Sequence, residues 1–188
     1  MNRALALLAC LTLAACQDEA AQDVSPIAFS DTAIGHYCQM ELSEHDGPKG
    51  QIHLAGLPGA PLFFSQVRDA IAYTRMPEQS HQILAIWVND MGAEGATWVA
   101  PGAMNWIDAK TAHYVVGSRI EGGMGTPEIV PFSDRARAEG FAHENGGHVM
   151  PLAEIPDAAV LAPVAGDAPE DDSEFQRRLR ALSRQTKG

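Results

Sequence analysis

Two stretches of the chain share one pattern of apolar and polar positions. Residues 61–73 read Pro-Leu-Phe-Phe-Ser-Gln-Val-Arg-Asp-Ala-Ile-Ala-Tyr, and residues 129–141 read Ile-Val-Pro-Phe-Ser-Asp-Arg-Ala-Arg-Ala-Glu-Gly-Phe. Each begins with a short apolar run and continues with apolar residues at helical spacing, such as Val67, Ala70 and Ile71 in the first stretch. We therefore predict, in both places, a strand that leads directly into a helix.

A serine stands at each predicted boundary between strand and helix. Ser65 follows Phe64, and Ser133 follows Phe132 at the matching position. The oxygen of a serine side chain accepts a hydrogen bond from an otherwise unpaired N–H of the first helical turn. We expect both serines to be helix N-caps.

Further extended segments flank each predicted strand and helix. The first half offers residues 36–42, 51–54 and 83–88, and the second half offers residues 104–107, 114–119 and 148–152. Strands grouped around a single helix are typical of α+β proteins. We predict an α+β fold of two related small units, residues 31–95 and 96–160, each made of strands with a single covering helix, as an internal duplication.

The N-terminus carries a secretion signal that ends at a cysteine. A short charged start precedes the apolar residues 4–13 and then Leu-Ala-Ala-Cys16, which resembles the bacterial lipobox. The apolar run is too short to span a bilayer, which needs about 20 residues. Cys10 offers a competing Leu-Leu-Ala-Cys, but its apolar segment is shorter than a signal requires. We predict a lipoprotein signal peptide over residues 1–15 and lipidation of Cys16.

Both ends of the exported chain lack the periodicity of folded segments. Residues 16–30 are small and polar, which predicts a flexible tether between the lipid and the folded part. Residues 161–188 begin as an acidic linker and then place Phe175, Leu179 and Leu182 on one face of a short predicted helix.

The formal net charge of −11 disfavours nucleic acid as a partner. The acidic surface either is simply solvated or attracts cations and a cationic partner.

Cys38 is the one thiol that remains after export. The chain has three cysteines, of which Cys10 leaves with the signal and Cys16 takes the lipid. No disulfide within the molecule is then available, and an exposed lone thiol is a liability in an oxidising compartment. Cys38 is therefore either buried as a small apolar residue or used as a ligand.

The neighbours of Cys38 favour a soft metal. If residues 36–40 are extended, then His36, Cys38 and Met40 point to one face, since alternate residues of a strand share a face. A thiolate with a thioether is a soft donor set, which favours copper(I) over hard cations. The alternative is a half-buried strand whose Cys and Met only pack.

A second sulfur donor stands in a glycine-rich loop. Met124 lies within Gly-Gly-Met-Gly, where the flanking glycines offer no helix or strand on which it could be buried. An exposed methionine that can swing toward a lone cysteine suits a shallow, exchangeable copper site. The alternative is a plain turn whose methionine fills a gap.

The sequence lacks the signatures of several classes of enzyme. The histidines show no H-x-x-x-H or H-E-x-x-H spacing, and the chain has no G-x-S-x-G, no phosphate loop and no dinucleotide fingerprint. A zinc hydrolase, a serine hydrolase and a nucleotide-dependent enzyme are therefore unsupported.

These segments together resemble the NosL family, accessory lipoproteins of bacterial nitrous oxide reductase. The resemblance rests on Leu-Ala-Ala-Cys16, on residues 35–52, on residues 106–109 with 114–116, and on residues 122–132. It implies a copper(I) chaperone, not an enzyme, that supplies copper for the tetranuclear copper-sulfide centre of the reductase. The implied fold is a pair of ββαβ units similar to part of organomercurial lyase.

The resemblance also implies site residues and a location. Cys38, Met40 and Met124 would be the copper ligands, with His36 as a candidate fourth. Gln39 departs from the family, which often has a small residue such as glycine there, and this puts the local backbone geometry in question. Gln17 after the lipidated cysteine resembles lipoproteins of the outer membrane. We expect a periplasm-facing lipoprotein whose partner is nitrous oxide reductase or its membrane copper-maturation machinery.

Two other functions stay open at the level of sequence. One is a thiol-dependent enzyme acting on mercury or another soft metal, with Cys38 as nucleophile and His36 as base. The other is a structural envelope lipoprotein in which Cys38 is buried and inert.

Overall fold

The computed structural model describes residues 21–162 and Arg177. The predicted signal peptide, the lipidation site at Cys16 and the rest of the helix predicted near Phe175 lie outside the described residues. Within residues 21–162, no helix is both long and apolar enough to cross a membrane.

The first half of the chain forms a four-stranded antiparallel sheet with one helix. Its elements are β1 (Gly50–Leu54), β2 (Leu62–Phe64), α1 (Val67–Arg75), β3 (Ile83–Asn89) and β4 (Trp106–Asp108). The strand order is β2-β1-β3-β4. Every residue of the central strand β1 is buried, so the sheet is covered on both faces at its middle.

The second half repeats this arrangement with three strands. Its elements are β5 (His113–Val116), β6 (Val130–Phe132), α2 (Arg135–Asn145) and β7 (His148–Pro151), followed by the short α3 (Asp157–Val160). The strand order is β6-β5-β7, so β5 pairs with both neighbours as β1 pairs with β2 and β3. The mixed α+β fold is confirmed, and both halves run strand, strand, helix, strand. Descent by internal duplication stays a prediction.

Two of the expected strands differ from the structure. Residues 36–38 form a turn and Leu42–Glu44 form a 3₁₀ turn, so the prediction of a strand over residues 36–42 is wrong. The strand predicted over residues 104–107 overlaps β4, but β4 pairs with β3 and therefore belongs to the first sheet. A short strand can extend either neighbouring sheet, and its own sequence does not decide which.

The prediction that Ser65 and Ser133 are the helix N-caps is wrong, because in each helix the N-cap is the next residue. Gln66 is the N-cap of α1 and makes no side-chain capping bond, whereas Asp134 caps α2 by accepting a hydrogen bond from the Arg137 N–H at 2.8 Å. Ser133 instead donates its hydroxyl proton to Asp90. Ser65 is buried at the end of its strand. Aspartate is as good an N-cap as serine, so the α2 helix starts at the later of two competent residues.

A shared apolar core joins the two sheets. The main cluster combines Val67 and Ile71 of α1, Val88 of β3, and Tyr114 of β5 with Ile129 just before β6. Each fully buried side chain of this size contributes about 1.5–3 kcal/mol through removal of apolar surface from water. The Tyr114 hydroxyl donates to the Ala109 carbonyl at 2.7 Å, so its one polar atom is satisfied. The two units therefore depend on one another for stability.

The N-terminal segment is bound to the first sheet from Gln22 onward. Gln51 on β1 exchanges two hydrogen bonds with the backbone of Ile27, at 3.0 and 2.8 Å. The indole N–H of Trp87 donates to the Val24 carbonyl at 2.8 Å. The expectation of a free tether over residues 16–30 is therefore wrong for this part, because side chains of the sheet supply hydrogen bonds that the segment's own sequence does not reveal.

Substituting Gln51→Leu tests the attachment of this segment. The change leaves the N–H of Ile27 unpaired and removes one of the two hydrogen bonds to its carbonyl, which still accepts from the Trp106 indole N–H at 3.0 Å. We expect the free energy of unfolding to fall by about 1–3 kcal/mol in a urea titration. The amide of Ile27 should also lose protection against hydrogen exchange. The exposed Gln82→Leu is the matched control and should change stability by less than about 0.5 kcal/mol. Equal effects of the two substitutions would contradict the attachment.

Candidate metal site

Cys38 lies in a closed loop, residues 34–41, which we term the cysteine loop. A bridge between Ile34 and Glu41 closes it, and the Gly35 N–H donates to the Met40 carbonyl at 2.9 Å. The Cys38 thiol is free and half-buried. Its Sγ lies directly over Gly35, where an added Cβ would be only 2.5 Å away. Gly35 is therefore required for the thiol to take this position.

Gln39 gives the cysteine loop its turn. Its φ of 56° is the only positive φ at a non-glycine residue within the described part of the chain. This left-handed conformation costs a residue with a side chain about 1–2 kcal/mol. The Gln39 Nε2 donates to the His36 carbonyl at 2.6 Å, which offsets part of that cost. The backbone geometry thus explains why a small residue or glycine suits this position.

The turn separates His36 from the cysteine. The His36 ring packs against the rings of Tyr37, Phe64 and Tyr73, with centroid distances of 5.4 to 5.6 Å. Met40 remains 43% exposed. The prediction that His36, Cys38 and Met40 share one face of a strand is wrong, because residues 36–38 form a turn. The ligand role of His36 stays a prediction, and the aromatic cluster gives the ring a packing role.

Met124 stands at the tip of a small hairpin, residues 121–127, which we term the methionine hairpin. A bridge between Glu121 and Pro127 closes its base, and the Gly122 N–H donates to the Thr126 carbonyl at 2.8 Å. Gly125 adopts a φ of 68° and donates its N–H to the Gly122 carbonyl at 2.9 Å. The tight turn leaves the Met124 side chain 45% exposed.

The glycines of this hairpin allow it to sit closely on buried polar side chains. A Cβ on Gly122 would lie 2.7 Å from Gln66 Oε1 and 2.8 Å from Glu128 Oε2. A Cβ on Gly123 would lie 2.6 Å from the Cβ of His45. The sequence suggested that the glycines serve to let the loop swing, whereas the structure shows that two of them permit close packing.

His45 is a further candidate residue that the sequence analysis missed. Its side chain is 7% exposed, and its Nδ1 lies 3.3 Å from the Gly123 carbonyl. If Nδ1 carries the proton for that bond, Nε2 keeps its lone pair, and Nε2 is buried with no hydrogen-bond partner. Buried polar atoms are nearly always paired, so an unpaired imidazole nitrogen requires an explanation such as a ligand. The only signal for it was its place within the family-like residues 35–52.

The cysteine loop and the methionine hairpin each lie against a residue that directly follows β2, Ser65 for the loop and Gln66 for the hairpin. The position above Gly35 lies 3.7 Å from the Ser65 backbone nitrogen, and Gln66 contacts Gly122. His45, which follows the cysteine loop, contacts Gly123. The structure therefore brings the segments that carry Cys38, Met40 and Met124 to one end of the molecule.

A buried lysine and a buried glutamate lie beneath these segments. The Lys49 ammonium donates to the carbonyls of His45 and Ser65. Burial lowers the pKa of Lys49 to about 8, against the opposing effect of negative charge on Glu128, Asp46 and Cys38. Burial raises the pKa of Glu128 to about 8, although its carboxylate accepts hydrogen bonds from backbone N–H groups. At neutral pH the lysine is therefore mainly charged and the glutamate mainly neutral.

The exposed charges of this end are negative. The exposed charged side chains of residues 34–47 and of the methionine hairpin are all carboxylates, namely Glu41, Glu44, Asp46 and Glu121. Such a surface raises the local concentration of cations. Among residues 21–162, no three side chains of His, Cys, Asp or Glu are grouped as a metal site.

Glu128→Gln tests the buried carboxyl. Between about pH 4.5 and 8 the folded protein keeps a proton on Glu128 that the unfolded chain has lost, so ionisation of this group lowers stability as pH rises. The substitution removes this contribution. We expect the unfolding free energy of the variant, relative to that of the unmodified protein, to rise across this window by up to about 1.4 kcal/mol per pH unit. A difference independent of pH would show that Glu128 is not buried as a neutral acid.

Comparison with known proteins gives the same family that the motifs suggested. The NosL family model matches residues 26–160. A copper-binding lipoprotein NosL of Achromobacter cycloclastes is 58% identical over 172 residues, which cover 90% of this chain and 89% of the relative. A second protein of that name, from Stutzerimonas stutzeri, is 32% identical over 164 residues, covering 86% and 82%.

A solved structure agrees with these relatives in fold. The crystal structure of the copper chaperone NosL from Shewanella denitrificans aligns with a TM-score of 0.65 at 32% identity, over 71% of this chain and 96% of that one. The relatives are named as copper-binding or chaperone proteins and not as enzymes. The family match spans both sheets and both loops described above, and the chain belongs to the NosL family.

Proposed function

We propose that this protein binds copper(I) as cargo between the cysteine loop and the methionine hairpin and delivers it for maturation of the copper-sulfide centre of nitrous oxide reductase. The observation that carries the proposal is that these two segments, which are distant in sequence, lie against the neighbouring residues Ser65 and Gln66. Relatives named copper-binding lipoprotein NosL support copper as the cargo.

The donor chemistry fits copper(I). The Cys38 thiolate neutralises the single positive charge, and the thioethers of Met40 and Met124 are soft neutral donors that need no deprotonation. Hard cations such as Mg²⁺ and Ca²⁺ prefer oxygen ligands and gain little from such a set. For a nitrogen donor we favour His45 over the expected His36, because the His45 Nε2 is unpaired and buried beside the hairpin.

The exposure of the sulfur atoms suits delivery rather than storage. Met40 and Met124 are each nearly half exposed, so a recipient's ligands can approach the ion while Cys38 still holds it. The surrounding carboxylates favour a recipient with a basic docking face.

We propose lipid attachment at Cys16, a periplasm-facing position on the outer membrane, and nitrous oxide reductase or its membrane machinery as the recipient.

The three sulfur atoms should differ in importance. Cys38→Ala removes the anionic donor and should lower copper(I) affinity by several orders of magnitude. Met40→Ala and Met124→Ala should each lower it by about 10- to 100-fold, comparable to loss of a residue that orients a ligand. The affinities are measured by anaerobic competition with a copper(I) chelator.

Met104→Ala is the matched control for the methionine substitutions. Met104 is 62% exposed but lies on a different loop, so its removal should leave affinity unchanged. A Cys38→Ala protein that binds copper(I) as tightly as the unmodified one would overturn the proposal.

A further inference from the structure

We propose that Gln66 is a positioning residue for copper binding, which acts by holding the methionine hairpin in the place where Met124 completes the site. This inference rests on the proposed function, since it concerns how one of the proposed ligands is held. It assigns a role to a residue that contributes no ligand itself. Its consequence is that Gln66 slows the release of copper.

The contact that carries the inference is a single short hydrogen bond. The Thr126 hydroxyl donates to Gln66 Oε1 at 2.6 Å, between residues 60 positions apart. Gln66 is 1% exposed and stands as the N-cap of α1, yet its side chain makes no capping bond. The amide is therefore turned away from its own helix and toward the hairpin.

Packing around Gln66 makes this bond specific. Gly122 lies so close that a Cβ would be 2.7 Å from Gln66 Oε1, and Glu128 Oε2 flanks the same glycine. The hairpin can therefore pack over the side-chain amide of Gln66 only because residue 122 is a glycine. An amide oxygen buried in this way has no water to replace the threonine hydroxyl, so loss of the bond leaves it unsatisfied.

The hairpin has few other attachments of this kind. Its bridge and turn bonds join the hairpin to itself and do not hold it on the protein. The hydrogen bond from His45 to Gly123 is longer, at 3.3 Å. Weakening the Gln66 bond should therefore raise the fraction of molecules in which the hairpin, and Met124 with it, has moved away.

Stopped-flow transfer of copper(I) to a competing chelator, under reducing and oxygen-free conditions, measures the effect. Thr126→Val removes the donor while keeping the shape of the side chain, and Thr126→Ser keeps the hydroxyl. We expect Thr126→Val and Gln66→Leu to speed release by about two- to tenfold, the range that one lost hydrogen bond implies. Thr126→Ser should release copper at the rate of the unmodified protein. If Gln66→Leu fails to fold, the threonine pair carries the test alone.

The same substitutions in a Met124→Ala background separate positioning from general destabilisation. If Gln66 acts through Met124, then Thr126→Val should have no further effect on release once the thioether is gone. Acceleration that persists in that background, or equal rates for Thr126→Val and Thr126→Ser, would overturn the inference. If Met124→Ala itself releases copper at the unmodified rate, the proposed ligand set fails instead, so the two failures are distinguishable.

Discussion

The site depends on the close packing of Gly122 and Gly123 against buried polar side chains. These two positions leave no room for a Cβ because Gln66, Glu128 and His45 lie directly beneath them. The contact seats a hairpin of the second unit on the end of β2 in the first. In the proposed site, this contact holds Met124 at the same end of the molecule as Cys38.

The buried polar groups under the hairpin cost stability that a purely apolar core would not. Lys49 and Glu128 are both nearly inaccessible, and burial shifts the pKa of each against its charged form. The unpaired atoms His45 Nε2 and Glu128 Oε2 add to that cost. Departures from good packing of this kind are concentrated at functional sites in natural proteins. Two of the three unpaired buried side-chain atoms in the described residues lie under the end of the molecule that carries the candidate ligands, and the third, His53 Nδ1, lies on β1.

The duplicated pattern of strand and helix was readable from the sequence because it depends on local periodicity. Residues 61–73 and 129–141 do form matching strands and helices, and the apolar stripe of α1 is buried as expected. The path of residues 36–42 was not readable, because alternation in His-Tyr-Cys-Gln-Met is equally compatible with a turn. Gln39 stands where the family often has a small residue such as glycine, which indicated an unusual backbone conformation at this position. The positive φ of Gln39 is that conformation.

The features that could not be predicted from the sequence depend on contacts between segments that are distant along the chain. His45 has no spacing that marks it as a ligand, and only its contact with Gly123 reveals the unpaired nitrogen. The attachment of residues 22–29 could not be predicted from their own sequence, which lacks periodicity. It depends on hydrogen bonds to side chains of the sheet such as Gln51 and Trp87. The proposed ligands Cys38, Met40 and Met124 came from the family resemblance, and their place at one end of the fold came from the structure.

Joint binding of one copper(I) ion by the cysteine loop and the methionine hairpin is tested most directly by copper X-ray absorption spectroscopy of the loaded protein, since the technique counts the sulfur atoms bound to the metal. If both segments hold the ion, Met124→Ala should reduce that number by one while the Cys38 sulfur remains bound. An identical sulfur shell in the variant and the unmodified protein would contradict it.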